Sequence, residues 1–164
     1  MTREQKLQTF RALHERAGLF IMPNPWNAGT ARILQAIGFE ALATTSAGDA
    51  FMAGLRDGKL TREQTLANAA SMVEATDLPV SADLENGFGH TPEACAQTIR
   101  LAAQAGLAGG SIEDASGDPN DPIYDFELSV QRVELSLGPG RCIVAEHGWR
   151  VIVHGVGGLF AVVF

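Results

Sequence analysis

Cysteine is scarce: Cys95 and Cys142 stand far apart with no CxxC or CxxH spacing, so neither a disulfide framework nor a structural zinc site is indicated, and a reducing cytoplasm is the natural setting. Basic residues are also few. Lys and Arg number 12 against 19 Asp and Glu, giving a net charge of −7, and no Lys/Arg cluster offers a nucleic-acid surface. No apolar run is long enough to span a membrane. Charged residues fill Met1 to Lys6, where a signal peptide would place an apolar core. There is no Walker sequence and no GxGxxG after a strand, which ranks a phosphate-binding α/β protein low. What is present is the balance of a globular domain, 46% hydrophobic over 164 residues, enough to build one sizeable core.

Periodicity divides the chain into alternating strands and helices. Arg3 to Ala17 reads as a helix, with Leu7, Phe10, Leu13 and Ala17 at three- and four-residue spacings. Leu19-Phe20-Ile21-Met22, stopped by Pro23-Asn24-Pro25, reads as a short buried strand ending in a loop. A helix over Ala28–Ile37 ends near Gly38 and leads into Ala41-Leu42-Ala43, with the turn Thr44–Gly48 beyond. Thr61 and Gln64 form a capping box for a helix whose stripe is Leu66, Ala69, Ala70 and Val73, running to about Thr76. Leu78–Leu84 follows as a strand. Thr91 caps the next helix, with Pro92 at its first position and Gly106 at its end. Gly109–Asp114 is a short strand, and a last helix covers about Asp125 to Val133.

Apolar strands separated by helices call for a parallel sheet with covered faces. The segment Val80-Ser81-Ala82-Asp83-Leu84-Glu85-Asn86-Gly87-Phe88-Gly89 ends such a strand in two alternating carboxylates. Successive strand residues point to opposite faces, so Asp83 and Glu85 share one while Leu84 points away. Two carboxylates on one face repel unless a cation joins them, and Mg²⁺ prefers such oxygen ligands. Alone, the segment reads equally as a polar strand end with a glycine-rich turn. The other strand ends carry Asn24, Thr45 with Ser46, and Glu113 with Asp114, and the C-terminal ends of parallel strands are where active sites are built.

Pro23-Asn24-Pro25-Trp26-Asn27-Ala28, Ala41-Leu42-Ala43-Thr44-Thr45-Ser46-Ala47-Gly48, Asp83-Leu84-Glu85-Asn86-Gly87-Phe88-Gly89 and Ile112-Glu113-Asp114, in that order, resemble the isocitrate lyase/phosphoenolpyruvate mutase superfamily. The resemblance runs from about Leu19 to Val133. It implies an α/β fold, a parallel (β/α) barrel of TIM type, with the first four to five β/α units present here. It also implies Mg²⁺ chemistry on small 2-oxo or 2-hydroxy acids, in which the ion polarises a carbonyl and stabilises an enolate. Carried over by residue, Asp83 would contact Mg²⁺ directly or through water, Glu85 would be a second acid near it, and Glu113 would hold metal-bound water. Thr45, Ser46, Ala47 and Gly48 would hold the substrate carboxylate. Asp57, in Arg56-Asp57-Gly58, matches a loop aspartate near metal and substrate, and it reads as well as an exposed turn acid.

The chain also departs from the pattern. Where the lyase branch carries a Lys-Lys-Cys-Gly-His-type loop, this chain has Gly87-Phe88-Gly89-His90-Thr91, which leaves His90 as the candidate general base. Cys95 lies within the next helix and reads as a packing residue. Ser116–Pro122 lacks the gating-loop lysine of the mutase and phosphonate-cleaving branches. The expectation is therefore a Mg²⁺-dependent carbon–carbon lyase or decarboxylase of an uncharacterised branch. The alternatives are a mutase or phosphonate-type activity, or a non-catalytic remnant that binds metal or partners.

A full barrel needs about 250 residues, and the character of the sequence changes near Glu134. Residues 1–135 read as the first half of a barrel. Residues 136–164 read as an atypical apolar, glycine-rich tail, with short strands at Cys142–Ala145 and Val151–Val153 packing on an open sheet edge. His147, although next to Glu146, and His154 show no metal-ligand spacing and read as non-ligands. An unpaired parallel edge favours self-association, so a homo-oligomer is expected. A frameshift or premature stop in place of the second half of the barrel is the expected origin of this change. Reading the coding DNA in the other frames after the Glu134 codon is expected to yield a family-like continuation, and its absence would count against that explanation.

Overall fold

The structure, a computed structural model, describes residues 1–137 and the backbone strands 152–153 and 159–163. Its elements are α1 (Arg3–Glu15), α2 (Ala28–Ile37), β1 (Leu42–Ala43), α3 (Ser46–Met52), α4 (Arg62–Ala75), β2 (Val80–Asp83), α5 (Pro92–Gln104), β3 (Gly109–Glu113), β4 (Ala115–Asp118), β5 (Asp121–Ile123), α6 (Phe126–Leu137), β6 (Ile152–Val153) and β7 (Leu159–Val163). The first three strands are parallel, with Leu42 beside Val80 and Asp83 beside Ser111. Strand order in the main sheet is β1-β2-β3-β7-β6, and β4 and β5 form a separate hairpin. No helix among the described residues is long and apolar enough to cross a membrane.

Alternation along the strands gives the sheet two unlike faces. Leu42, Val80, Ala82, Leu84 and Ile112 are almost completely buried and meet Ala31 of α2, Ala69 and Met72 of α4, and Ile99 and Ala102 of α5. Ala43, Ser81, Asp83, Ser111 and Glu113 occupy the alternate positions and are only half-buried. Gly110 belongs to the packed face, where a Cβ would come within 2.8 Å of Leu84 Cδ1. The helices are fixed by local chemistry as well as by packing. Thr61 and Gln64 form the capping box of α4, and Thr91 caps α5 with Pro92 in its first turn.

A second cluster closes the N-terminal ends of the strands. Phe10 and Leu13 of α1 pack with Ala41 and Ala108, which immediately precede β1 and β3, and with the partly buried Phe20 and Met22. Lys6 extends from α1 to the end of α4, where its Nζ donates to the carbonyls of Val73 and Thr76, each at 2.7 Å. Those carbonyls have no partner within their own helix, and a cation suits the negative end of the helix dipole.

Several expectations need correction. Leu19–Met22 is not a strand: it lies alongside β1 with a single ladder-like bond, Ala43 N–H to Pro23 O at 3.2 Å. Its alternation survives as half-buried Phe20 and Met22 against Leu19 and Ile21, which are 97% and 70% exposed because no described element covers their side. The Thr44–Gly48 turn becomes the start of α3, since the Thr45 hydroxyl accepts the Gly48 N–H and caps a helix there. The segment after β3 is a hairpin, and α6 continues past Val133 to Leu137. The main sheet is open and mixed: β7 runs antiparallel to β3 and β6 antiparallel to β7. The expected tail strand at Val151–Val153 corresponds to β6, while Cys142–Ala145, His147 and His154 lie outside the described residues.

Met72 is 1% exposed at the centre of the helix–sheet core. Truncation by Met72→Ala is expected to lower unfolding stability by about 2–5 kcal/mol, read as a shifted urea midpoint. An unchanged midpoint would mean that this core does not govern the fold.

Candidate active site

Asp83 ends β2 with its carboxylate fixed by two backbone amides. Oδ2 accepts the Ser46 N–H at 3.0 Å and Oδ1 accepts the Glu85 N–H at 3.0 Å, while Asp83's own N–H donates to Thr44 Oγ1 at 3.0 Å. The ends of β1 and β2 are thereby joined through one side chain. Each carboxylate oxygen has a further lone pair for a ligand. Past β2 the ladder continues through Leu84 N–H to Ser111 O and Glu113 N–H to Glu85 O, which sets Glu85 beside Glu113. Glu85 has φ +48°, a left-handed conformation uncommon for an L side chain.

The turn carrying Asp57 lies over this rim. Asp57 Oδ1 accepts the Gly58 N–H at 3.0 Å, and a Cβ on Gly58 would sit 3.9 Å from Glu85 Oε2. The electrostatic consequence is large. The Glu85 carboxyl is pushed up to about 7, first by burial and then by the charges of Asp83, Asp57, Glu113 and Asp49. Glu113 is also raised, first by burial and then by Asp83, Asp57 and Asp114. Asp49, on the buried side of α3, is raised by burial against the opposing effect of its hydrogen bond from Asn68 Nδ2 at 2.9 Å.

The structure therefore brings Asp57, Asp83, Glu85 and Glu113 into one electrostatic group and adds Asp49, whose place became visible only once α3 was recognised. Asp83, Glu85 and Glu113 are hard oxygen donors whose mutual repulsion a cation would relieve. Among the described residues no three His, Cys, Asp or Glu side chains form a closed metal cluster. An ion held at this rim would meet at most two of these carboxylates directly and the others through water.

The segment Thr45–Gly48 is built into the same rim. The Ser46 N–H serves Asp83, the Gly48 N–H serves the Thr45 hydroxyl, and Trp26 packs so closely that a Cβ on Gly48 would come within 2.5 Å of its Cδ1. A cavity of about 280 Å³ opens here, lined by Asn24, Thr44, Thr45, Ser81, Asp83 and Ser111. His90 is not among its lining residues. It borders a neighbouring cavity of about 640 Å³ with Asn86, Phe88, Gly89, Ser116 and Asp118. His90 Nδ1 lies 2.6 Å from Tyr124 Oη, and the Arg132 guanidinium sits 4.2 Å over the Tyr124 ring. Cys95 is fully buried in the core with its thiol pushed up by burial, as a packing residue should be.

Tyr124 and Arg132 were missed from the sequence. A signal existed for the second: Ser129, Arg132, Val133 and Ser136 share one face of α6 at helical spacing, and the first three are buried. A polar side chain on a buried helix face calls for internal partners, which Arg132 finds in the carbonyls of Asn86, Gly89 and His90, while the Ser129 hydroxyl finds none among the described residues.

Comparison with known proteins matches residues 10–137 to the family described as phosphoenolpyruvate phosphomutase. A solved Burkholderia cenocepacia structure, provisionally described as a lyase/mutase, is 56% identical, with a TM-score of 0.80 over 82% of this chain and 48% of that one. The 2,3-dimethylmalate lyase of Eubacterium barkeri is 34% identical over 63% of this chain and 36% of its own length. The 2-methylisocitrate lyase of Salmonella typhimurium is 29% identical over 79% of this chain and 47% of its own. The chain thus spans about half the length of the curated relatives it matches.

The raised Glu85 carboxyl sets a pH dependence. Between the ordinary glutamate range and about 7, the unfolded chain has lost a proton that folded Glu85 retains, so stability should fall as pH rises through that window and level off above it. Urea unfolding from pH 4.5 to 8 in chelator should show this decline, and Glu85→Gln should flatten it. A Glu85 carboxyl that titrates by NMR in the ordinary range would contradict it.

Proposed function

The chain belongs to the phosphoenolpyruvate phosphomutase family, within the isocitrate lyase/phosphoenolpyruvate mutase superfamily, and on that premise we propose a Mg²⁺-dependent carbon–carbon lyase or decarboxylase acting on small 2-oxo or 2-hydroxy carboxylic acids. The observation that carries the proposal is the rim of carboxylates at the ends of β2 and β3, crowded enough to hold Glu85 near 7 without a cation. The likeness to a 2,3-dimethylmalate lyase and a 2-methylisocitrate lyase supports this class of reaction and of substrate.

In this proposal Asp83, Glu85 and Glu113 hold the ion, directly or through water. Bound there, Mg²⁺ supplies positive charge that lowers the cost of negative charge developing on the oxygens of a 2-oxo acid. Asp83 is the fixed member, because two amides already orient its carboxylate. Thr45 lines the adjoining cavity, its turn Thr45–Gly48 is the proposed seat of the substrate carboxylate, and the Asp57 turn covers the acid side of the rim. His90, the expected general base, borders a different cavity from the one assigned to the substrate carboxylate and has its Nδ1 engaged by Tyr124, so the proposal gives it no contact with the bound acid.

Calorimetric titration of the metal-free protein with Mg²⁺, and then with oxaloacetate or pyruvate, tests the proposal beside a turnover assay. Asp83→Ala is expected to weaken Mg²⁺ binding by about tenfold or more. Binding without turnover would identify a metal- and acid-binding protein in place of an enzyme. Failure of the unsubstituted chain to bind either ligand would overturn both.

A further inference from the structure

We propose that Arg132 is a positioning residue that sets the conformation of the loop Leu84–His90, and through it the placement of Glu85. The loop needs an external constraint. Glu85 and Phe88 have φ +48° and +57°, and Gly87 has φ +76°. Two left-handed residues with side chains within four positions persist only where the surroundings over-determine the backbone.

Arg132 supplies that constraint from α6. It is 1% exposed, its Nη1 donates to Gly89 O at 2.8 Å and His90 O at 2.7 Å, and its Nη2 donates to Asn86 O. Thr98 of α5 adds a hydrogen bond to Gly87 O at 2.7 Å. Four loop carbonyls are thus held by two side chains from two helices. The same guanidinium lies over the Tyr124 ring, and Tyr124 Oη engages His90 Nδ1, so Arg132 constrains the loop through its backbone and through a side chain. The task is specific to arginine. A planar fork of five donors can reach several carbonyls while stacking on an aromatic face, whereas an ammonium is a single point.

Space behind the loop is equally tight. A Cβ on Gly87 would meet Cys95 Sγ at 2.6 Å, and one on Gly89 would meet Ala94 Cβ at 2.5 Å. With α5 behind it and Arg132 holding its carbonyls, the loop has one arrangement available. Glu85 belongs to that arrangement, since its N–H is spent on Asp83 and its carbonyl on Glu113.

The metal-binding arm of the test rests on the function proposed above, and the exchange arm does not. Arg132→Met, Arg132→Lys and, as a control for general destabilisation, Met72→Ala are compared by amide hydrogen exchange and by Mg²⁺ titration of the metal-free protein. Arg132→Met is expected to speed exchange at Gly87 and Phe88 relative to α1, and to weaken Mg²⁺ binding by about 10- to 100-fold. Arg132→Lys should fall between it and the parent, and Met72→Ala should leave both readouts at parent values while lowering the unfolding midpoint. Equal behaviour of Arg132→Met and Met72→Ala in both readouts would reduce Arg132 to a structural residue and overturn the proposal. If the parent chain binds no Mg²⁺, the metal reading fails, and loop exchange alone decides for or against Arg132. If Arg132→Met does not fold, the decision falls to Arg132→Lys, whose loop must exchange faster than the parent's for the proposal to stand.

Discussion

The carboxylate of Asp83 is the joint on which the acidic rim depends. One oxygen takes the amide that begins α3, the other takes the amide of Glu85, and the residue's own amide is taken by Thr44. Three segments therefore meet at one residue: the end of β1 at its backbone amide, and the first turn of α3 and the loop leaving β2 at its carboxylate. Each bond to an ionised carboxylate is stronger than its neutral equivalent. An asparagine could supply one acceptor oxygen but not two, so the geometry calls for aspartate before any ligand is considered.

Electrostatic cost and backbone strain are concentrated at the same end of the strands. Glu85 and Glu113 are displaced upward by burial and by their neighbours, and the left-handed residues lie in the loop immediately beyond. At the opposite end no described residue with a side chain is left-handed, although burial pushes the Lys6 ammonium below its usual range. There α1 closes the sheet with Phe10 and Leu13, and Lys6 satisfies the open carbonyls of α4. This polarity follows from parallel strands, whose C-terminal ends all emerge together.

Much of this was legible in the sequence because it depends on short-range rules. The boundaries of α2, the capping box of Thr61 and Gln64, and the Thr91-Pro92 start of α5 follow from residue chemistry within a few positions. The strand face expected for Asp83 and Glu85 together does not hold, because β2 ends at Asp83 and Glu85 follows it with φ +48°; the pairing of Asp83 with Ser111 instead sets Asp83 on one face with Glu113. What escaped depends on contacts distant in sequence. Leu19–Met22 has the alternation of a strand, but a strand also needs partners on its edge, and the residues themselves cannot supply those. Arg132 looks like any charged residue of an amphipathic helix until the carbonyls 42 to 46 residues upstream are found beside it.

The two faces of the sheet explain why the polar groups survive where they are. The packed face tolerates only Leu, Val, Ala, Ile and Gly, because α2, α4 and α5 leave no water there, and even Gly110 is fixed by Leu84. On the alternate positions Ser81, Asp83, Ser111 and Glu113 remain half-buried. Shifting β2 by one residue would exchange Asp83 with Leu84, putting an ionised group into the apolar core and a leucine on the rim. Burying that charge costs far more than any single contact could restore. The register that builds the core is thus also the register that assembles the acids, and Asp83 cannot drift from the rim without the core failing as well.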